Sequence, residues 1–163
     1  MNKMLLVFVL FMPLSTAAQV TVPGTEGGTT LRHSVFGIGL AAGSASGMGL
    51  SFRHHLPAAF SYQITGGVIK VDDKLHYDIG AELQYDFIRS SSTRVFAMTG
   101  LGYYHAGDKD NNELEGPARA GAGIGGEFRF LDSFHAIIEG VFTYFSDGTI
   151  LPLPQAGIYY YFL

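Results

Sequence analysis

His76, Asp78, Glu82 and Asp86 stand at even positions of one short stretch, with Gln84 among them. In an extended chain alternate residues share a face, so these groups point the same way. Acids gathered on one face are candidates for general acid–base chemistry. Arginines occur at Arg53, Arg94, Arg119 and Arg129, and further acids at Glu127 and Glu139. Guanidinium and carboxylate groups pair through charge-assisted, often bidentate, hydrogen bonds. The set Arg53, Asp78, Glu82, Asp86, Arg94, Arg119, Glu127, Arg129 and Glu139 therefore either satisfies itself as a network or lines a polar path. It holds five acids against four arginines, and near balance of this kind favours the network.

Other chemistry is less well supported. A nucleophilic site needs a serine, a histidine and an acid within hydrogen-bond reach. His33-Ser34, His54-His55, His76, His105 and His135, with Ser51 or Ser146, supply the residue types but form no recognisable motif. The chain has no cysteine, hence no thiol nucleophile and no disulfide. Asp108, Asp110 and Asn112 have the opening spacing of a calcium loop. Glu113 occupies the sixth position, where such a loop needs glycine, so a solvated acidic loop is the better reading. No cofactor and no resident metal are expected.

The elements that hold the charged face are legible around it. Odd positions from Leu75 to Phe87 read Leu75, Tyr77, Ile79, Ala81, Leu83, Tyr85 and Phe87. Strict alternation over this length is a β-strand with one apolar and one polar face. It is longer than the usual soluble strand of about 5–6 residues and long enough to cross a bilayer, which takes about 9–11. The same alternation defines eight candidate strands at approximately 34–43, 46–55, 58–70, 75–88, 93–106, 118–130, 133–146 and 155–163. The connections at 56–58, 89–92 and 131–133 are short. The other set is Ser44-Ala45, 71–74, 107–117 and 147–154, with 107–117 the longest. Bacterial barrels place short turns in the periplasm and longer loops outside.

On the apolar face, rings gather at strand ends and aliphatics at the middles. Phe36, Phe52, Phe60, Tyr62, Tyr85, Phe87, Phe128, Phe130, Phe134, Tyr160 and Phe162 mark one rim, and Tyr77, Tyr103, Phe142 and Tyr144 the other. Aromatic girdles of this kind sit at the two interfaces of a membrane. With 22 glycines, 13 phenylalanines, 9 tyrosines and no tryptophan, the composition is that of an all-β chain. The formal net charge of −4 and the lack of a basic stripe argue against nucleic acid as a partner.

Lys3, the apolar run 4–14 and the small residues 15–18 read as a cleavable signal peptide over 1–18. Residues 19–33, rich in Gly, Thr and Pro, read as a periplasmic lead, and 34–163 as one barrel domain.

The alternation, the girdles and the C-terminal residues Gln155, Gly157, Tyr160 and Phe162 together resemble the small outer-membrane barrels of the OmpA/OmpX type. That resemblance implies an all-β fold, an eight-stranded antiparallel up-and-down transmembrane β-barrel, without a periplasmic domain after Leu163. It also implies that the C-terminal residues, followed here by Leu163, form the signal read by the outer-membrane barrel assembly machinery. The expected location is the outer membrane of a Gram-negative-type bacterium, with membrane lipid and lipopolysaccharide as neighbours and a monomeric state.

An eight-stranded barrel has an interior just wide enough for side chains to fill. A non-enzymatic barrel with a charge-plugged lumen and a structural or surface-interaction role is the expected function. A narrow channel for small solutes is the alternative, and a lipid-modifying barrel enzyme ranks third. At the core of the network, strand 75–87 is expected to face strand 118–130 across the lumen.

Overall fold

The computed structural model describes residues 34–71, 74–90, 92–108 and 111–162. The expected signal peptide over 1–18, the lead over 19–33, Asp110 and Leu163 lie outside the described residues. The strands are β1 (Val35–Ala42), β2 (Met48–His55), β3 (Phe60–Val71), β4 (Lys74–Arg89), β5 (Thr93–Asp108), β6 (Asn111–Asn112), β7 (Ala118–Arg129), β8 (Phe134–Phe145) and β9 (Ile150–Phe162). β6 pairs only with the end of β5, as a short hairpin arm. The remaining eight form an antiparallel meander in which β9 returns to β1, in register from Phe36↔Phe162 to Ala42↔Ala156. Closure leaves the sheet without a free edge over the shared length of its strands.

Burial follows the period of two but is inverted relative to a soluble protein. Leu101 and Ile124 are each 66 % exposed on the outer face, while Arg53 at 1 % and Arg94 at 0 % are buried inside. Charged residues are almost never buried without partners, and contiguous apolar surface of this extent is not left in water. The wall is matched to hydrocarbon, and the protein is a membrane-spanning β-barrel.

The strands differ from the sequence expectation in three places, each for a local reason. The expected tight connection at Ser44-Ala45 is a five-residue loop over 43–47 that folds into the lumen, closed by a 2.9 Å bond from Gly43 N to Gly47 O. Gly47 has φ +94°, and Ala45 and Ser46 are buried. Opposite the loop, a Cβ on Gly121 would lie 2.6 Å from Ala45 Cβ, and one on Gly102 2.7 Å from Ala45 O. Those inward glycines make the space the loop occupies.

Second, β9 begins at Ile150, so Pro152 and Pro154 lie inside a strand where a loop was expected. Third, the β4–β5 register shifts between Asp86 and Ile88. This bulge places Phe87 and Ile88 together on the outer face. It also brings Arg89 back against Asp86.

Candidate functional site: the charge network of the lumen

Glu127, an inward residue of β7, is the hub. Its Oε2 accepts from Arg94 Nε at 3.1 Å, Arg94 Nη2 at 2.7 Å and Arg53 Nη1 at 3.3 Å. His135 Nδ1 donates to Oε1 at 2.8 Å, and His55 Nε2 lies 3.7 Å from Oε2. The partners arrive from three other strands: Arg53 and His55 from β2, Arg94 from β5, His135 from β8. The alternation of each strand turns these side chains inward, and closure of the sheet brings them to one point.

Both arginines use their remaining donors. Arg94 Nη1 donates to Asp86 Oδ1 at 2.8 Å and Ser61 Oγ at 2.9 Å, and Nη2 to Gln84 Oε1 at 2.6 Å. Arg53 donates from Nε to Gln63 Oε1 at 3.1 Å, with a second, shorter bond from Nη2 to the same oxygen. Each guanidinium also lies over a ring, Arg53 at 4.5 Å from the Tyr159 centroid and Arg94 at 4.4 Å from that of Phe96. Arg89 adds an ion pair to Asp86 at the rim that carries the short turns.

The network continues toward the opposite rim through Glu139. Arg53 Nη2 lies 3.9 Å from Glu139 Oε1, and Gln155 Nε2 donates to Glu139 Oε2 at 3.1 Å. Gln155 Oε1 then accepts from Ala45 N at 3.1 Å and Ser46 Oγ at 3.2 Å, so the charged core is bonded to the 43–47 loop above it. Tyr104 holds the same loop, accepting from Gly47 N at 2.9 Å and donating to Gly43 O at 2.6 Å. A void of about 10 Å³ between Arg53, Gln63, Glu139, Gln155 and Tyr159 has room for roughly one water.

Of the nine charges expected in the lumen, six meet: Arg53, Glu82, Asp86, Arg94, Glu127 and Glu139. Three do not. Asp78 accepts from Met48 N at 2.6 Å, beside the 43–47 loop. Arg119 lies between the rings of Tyr104 and Phe145, at 3.9 and 4.8 Å from their centroids, with Nε donating to Gly116 O at 3.3 Å. Arg129 is half-buried and makes no ion pair among the described residues.

The expected facing of strand 75–87 and strand 118–130 is thereby corrected. β7 supplies a carboxylate, and the arginine that crosses the lumen to it is Arg53 of β2. With Arg119 and Arg129 elsewhere, carboxylates outnumber arginines in the core. Glu82 Oε2 is buried without a hydrogen-bond partner among the described residues.

Sequence reasoning missed Arg89, because alternation alone points it outward and only the bulge returns it. It also missed Gln155 as a lumen residue. Of the C-terminal quartet, Gln155 is buried inside, Gly157 is half-buried, and Tyr160 and Phe162 lie on the outer face.

The structure does bring one serine and histidine together. His55 Nδ1 and Ser61 Oγ share a 2.7 Å hydrogen bond, and His55 Nε2 and Tyr161 OH another of 2.7 Å. Ser61 and His55 are fully buried and Arg94 also donates to Ser61 Oγ, so the pair has no open face toward a substrate. Ser51 is taken by Thr65 and Tyr159.

In the long connection between β5 and β7, Asn112 Oδ1 accepts from Ala106 N and Leu114 N at 3.1 Å each, which ties the hairpin arm rather than a cation. Among the described residues no three acidic or histidine side chains converge on a metal position. Above the wall, Lys74 Nζ donates to Glu113 Oε2 at 2.6 Å. That bond, together with the charges of Glu113 and Asp108, raises the Lys74 pKa above its ordinary value.

No family model matches the chain. No curated protein matches it. Among solved structures it is similar to the outer membrane protein Ail of Yersinia pestis in a phospholipid bilayer nanodisc, with TM-score 0.46 and 13 % identity over 79 % of this chain and 98 % of that one. It is also similar to a major outer membrane protein from Thermus thermophilus, with TM-score 0.45 and 10 % identity over 80 % of this chain and 100 % of that one.

Proposed function

We propose that this protein is a closed, non-enzymatic barrel of the outer membrane. In this reading its lumen is sealed by its own charges, and its role is structural or one of surface interaction. The observation that carries the reading is the convergence of Arg53, Arg94, His55 and His135 on Glu127. Every one of these groups would incur a large desolvation penalty if left alone. Together they fill the cross-section through which a solute would pass. The 43–47 loop closes the lumen a second time, nearer the outside.

Placement in the outer membrane is supported by the apolar wall and by the signal peptide expected over 1–18. Membrane lipid and lipopolysaccharide are its neighbours in this reading. Tyr160 and Phe162 at the end of β9 stand on the outer face, where the assembly machinery could read them. The protein acts as a monomer in this reading, since the sheet closes on itself over the shared length of its strands and needs no second copy to pair an edge there.

Single-channel recording on refolded protein in a planar bilayer tests the reading, with Glu127→Gln alongside. A silent wild type with leak in the variant is the expected result. Steady wild-type conductance would overturn it and make the carboxylates and arginines a permeation path.

A further inference from the structure

β1 and β2 are eight residues each, short of what a tilted strand needs to cross a bilayer. Their neighbours go on without them. β9 extends over 150–155 beyond its last β1 partner at Ala156, and β3 over 67–71 beyond its last β2 partner at Gly66. The wall therefore has a notch about two staves, or roughly 10 Å, wide on its external side. The inward loop 43–47 is its floor.

The flanks of this notch are built for an apolar neighbour. Tyr161 N bonds to Ser133 O on the β8 side. By the alternation of an antiparallel ladder, odd residues of β9 turn their N–H toward β8 and even residues toward β1. Positions 152 and 154 are thus on the open edge, and both are proline. The two donors that would be left unpaired beside lipid are absent.

The lumen-facing positions at this level also change character. Below the loop, β3 and β9 turn Gln63, Thr65, Gln155 and Tyr159 inward. Above it the same faces carry Ile69, 65 % exposed, Val71, 54 %, and Leu151, 44 %, with Leu153 half-buried. Across the lumen from the notch, on β7, Arg119 rests on Tyr104 and makes no ion pair among the described residues. The nearby acid, Asp78, is held by Met48 N.

We propose that the external half of the lumen is a side-entry binding site for a single-chain anionic amphiphile of the long-chain carboxylate class. Its chain lies through the notch against Ile69, Val71, Leu151 and Leu153, and its carboxylate meets the Arg119 guanidinium. The membrane is the source of the ligand, because the notch opens toward lipid and not only toward water. The proposal rests on the barrel's orientation in the membrane and is independent of whether the charged core conducts.

The test uses the refolded chain in zwitterionic nanodiscs, titrated with 16-doxyl-stearate and followed by paramagnetic broadening of amide resonances. Saturable broadening confined to Ile69, Val71, Leu151 and Leu153 is expected, with Leu101 and Ile124 on the distant lipid face unaffected. Arg119→Gln should weaken binding about tenfold, as loss of a charge-assisted hydrogen bond does. The methyl ester of the same probe should bind wild type correspondingly weakly. Leu151→Asp should abolish saturation while leaving the remaining amide spectrum in place. Uniform broadening of all lipid-facing residues would overturn the proposal as mere partitioning. Equal binding of acid and ester would overturn the role of Arg119 even if Arg119→Gln failed to fold.

Discussion

Arg53 on β2 reaches across the lumen to Glu127 on β7, with Nη1 3.3 Å from Oε2. The two residues are on strands that share no hydrogen bond, so this ion pair spans the barrel and not the sheet. Removing one partner of such a buried pair leaves the other charge uncompensated, at a cost of about 3–5 kcal/mol. Glu127→Gln takes this partner from both Arg53 and Arg94, leaving Arg94 only Asp86 and Arg53 only Glu139 at 3.9 Å. We expect a loss of stability of up to about this order, read as a lower urea midpoint for the lipid-embedded barrel. An unchanged midpoint would mean that the network is not what holds the lumen closed.

Glu82 gives the opposite expectation. It sits in the same core, but one carboxylate oxygen has no partner and carboxylates are in excess. Glu82→Gln removes a buried charge without orphaning an arginine. The midpoint should stay within about 1 kcal/mol of wild type or rise. A loss as large as that of Glu127→Gln would show that Glu82 pairs in a way the geometry does not reveal.

The inward loop depends on glycine opposite it. Gly121→Val adds volume where Ala45 Cβ already stands 2.6 Å from the site of a Cβ. The loop over 43–47 must then leave the lumen. A cysteine in place of buried Ser46 should be inert to a water-soluble maleimide in the parent and labelled when Gly121→Val is added. Equal labelling rates would place the loop outside the lumen in both.

The lipid face can be tested with one charge. Ile124 is outward and two-thirds exposed in the middle of β7. Ile124→Arg should destabilise the barrel in vesicles by about 2–4 kcal/mol if that position is near the midplane. An arginine tolerated there at no cost would contradict the membrane span.

Outside the wall, Lys74 at the start of β4 carries a titration that can be followed. The bond to Glu113 raises the Lys74 pKa in the folded protein. A raised lysine value stabilises the fold fully below the unfolded pKa, and that contribution is lost as pH rises through the folded value. The tie between Lys74 and Glu113 should therefore be constant through neutral pH and weaken only in strong alkali. Lys74→Met should abolish the alkaline change in the Glu113 amide shift while leaving the neutral spectrum outside the loops unchanged. Because the pair is exposed, salt should weaken it as well.

Much of this architecture is written locally. Leu75 to Phe87 announces a strand with an apolar and a charged face, since a period of two needs no information beyond neighbours along the chain. The sequence by itself determined eight alternating segments, the side that meets lipid, and the polar interior. It also narrowed the network to a set that contains Arg53, Arg94, Glu127 and Glu139.

What it did not contain was distance across the lumen. Which arginine meets Glu127 depends on shear and closure, which sum small offsets at every pair of strands, and so Arg119 and Arg129 stand apart while Arg53 arrives from the far wall. The bulge that returns Arg89 to Asp86 and the loop that turns Ser46 inward break the alternation by one residue or one positive φ. Pro152 and Pro154 read as loop because a strand normally needs both neighbours. Only the tertiary structure shows that β1 ends below them, leaving an edge where a missing N–H is an advantage.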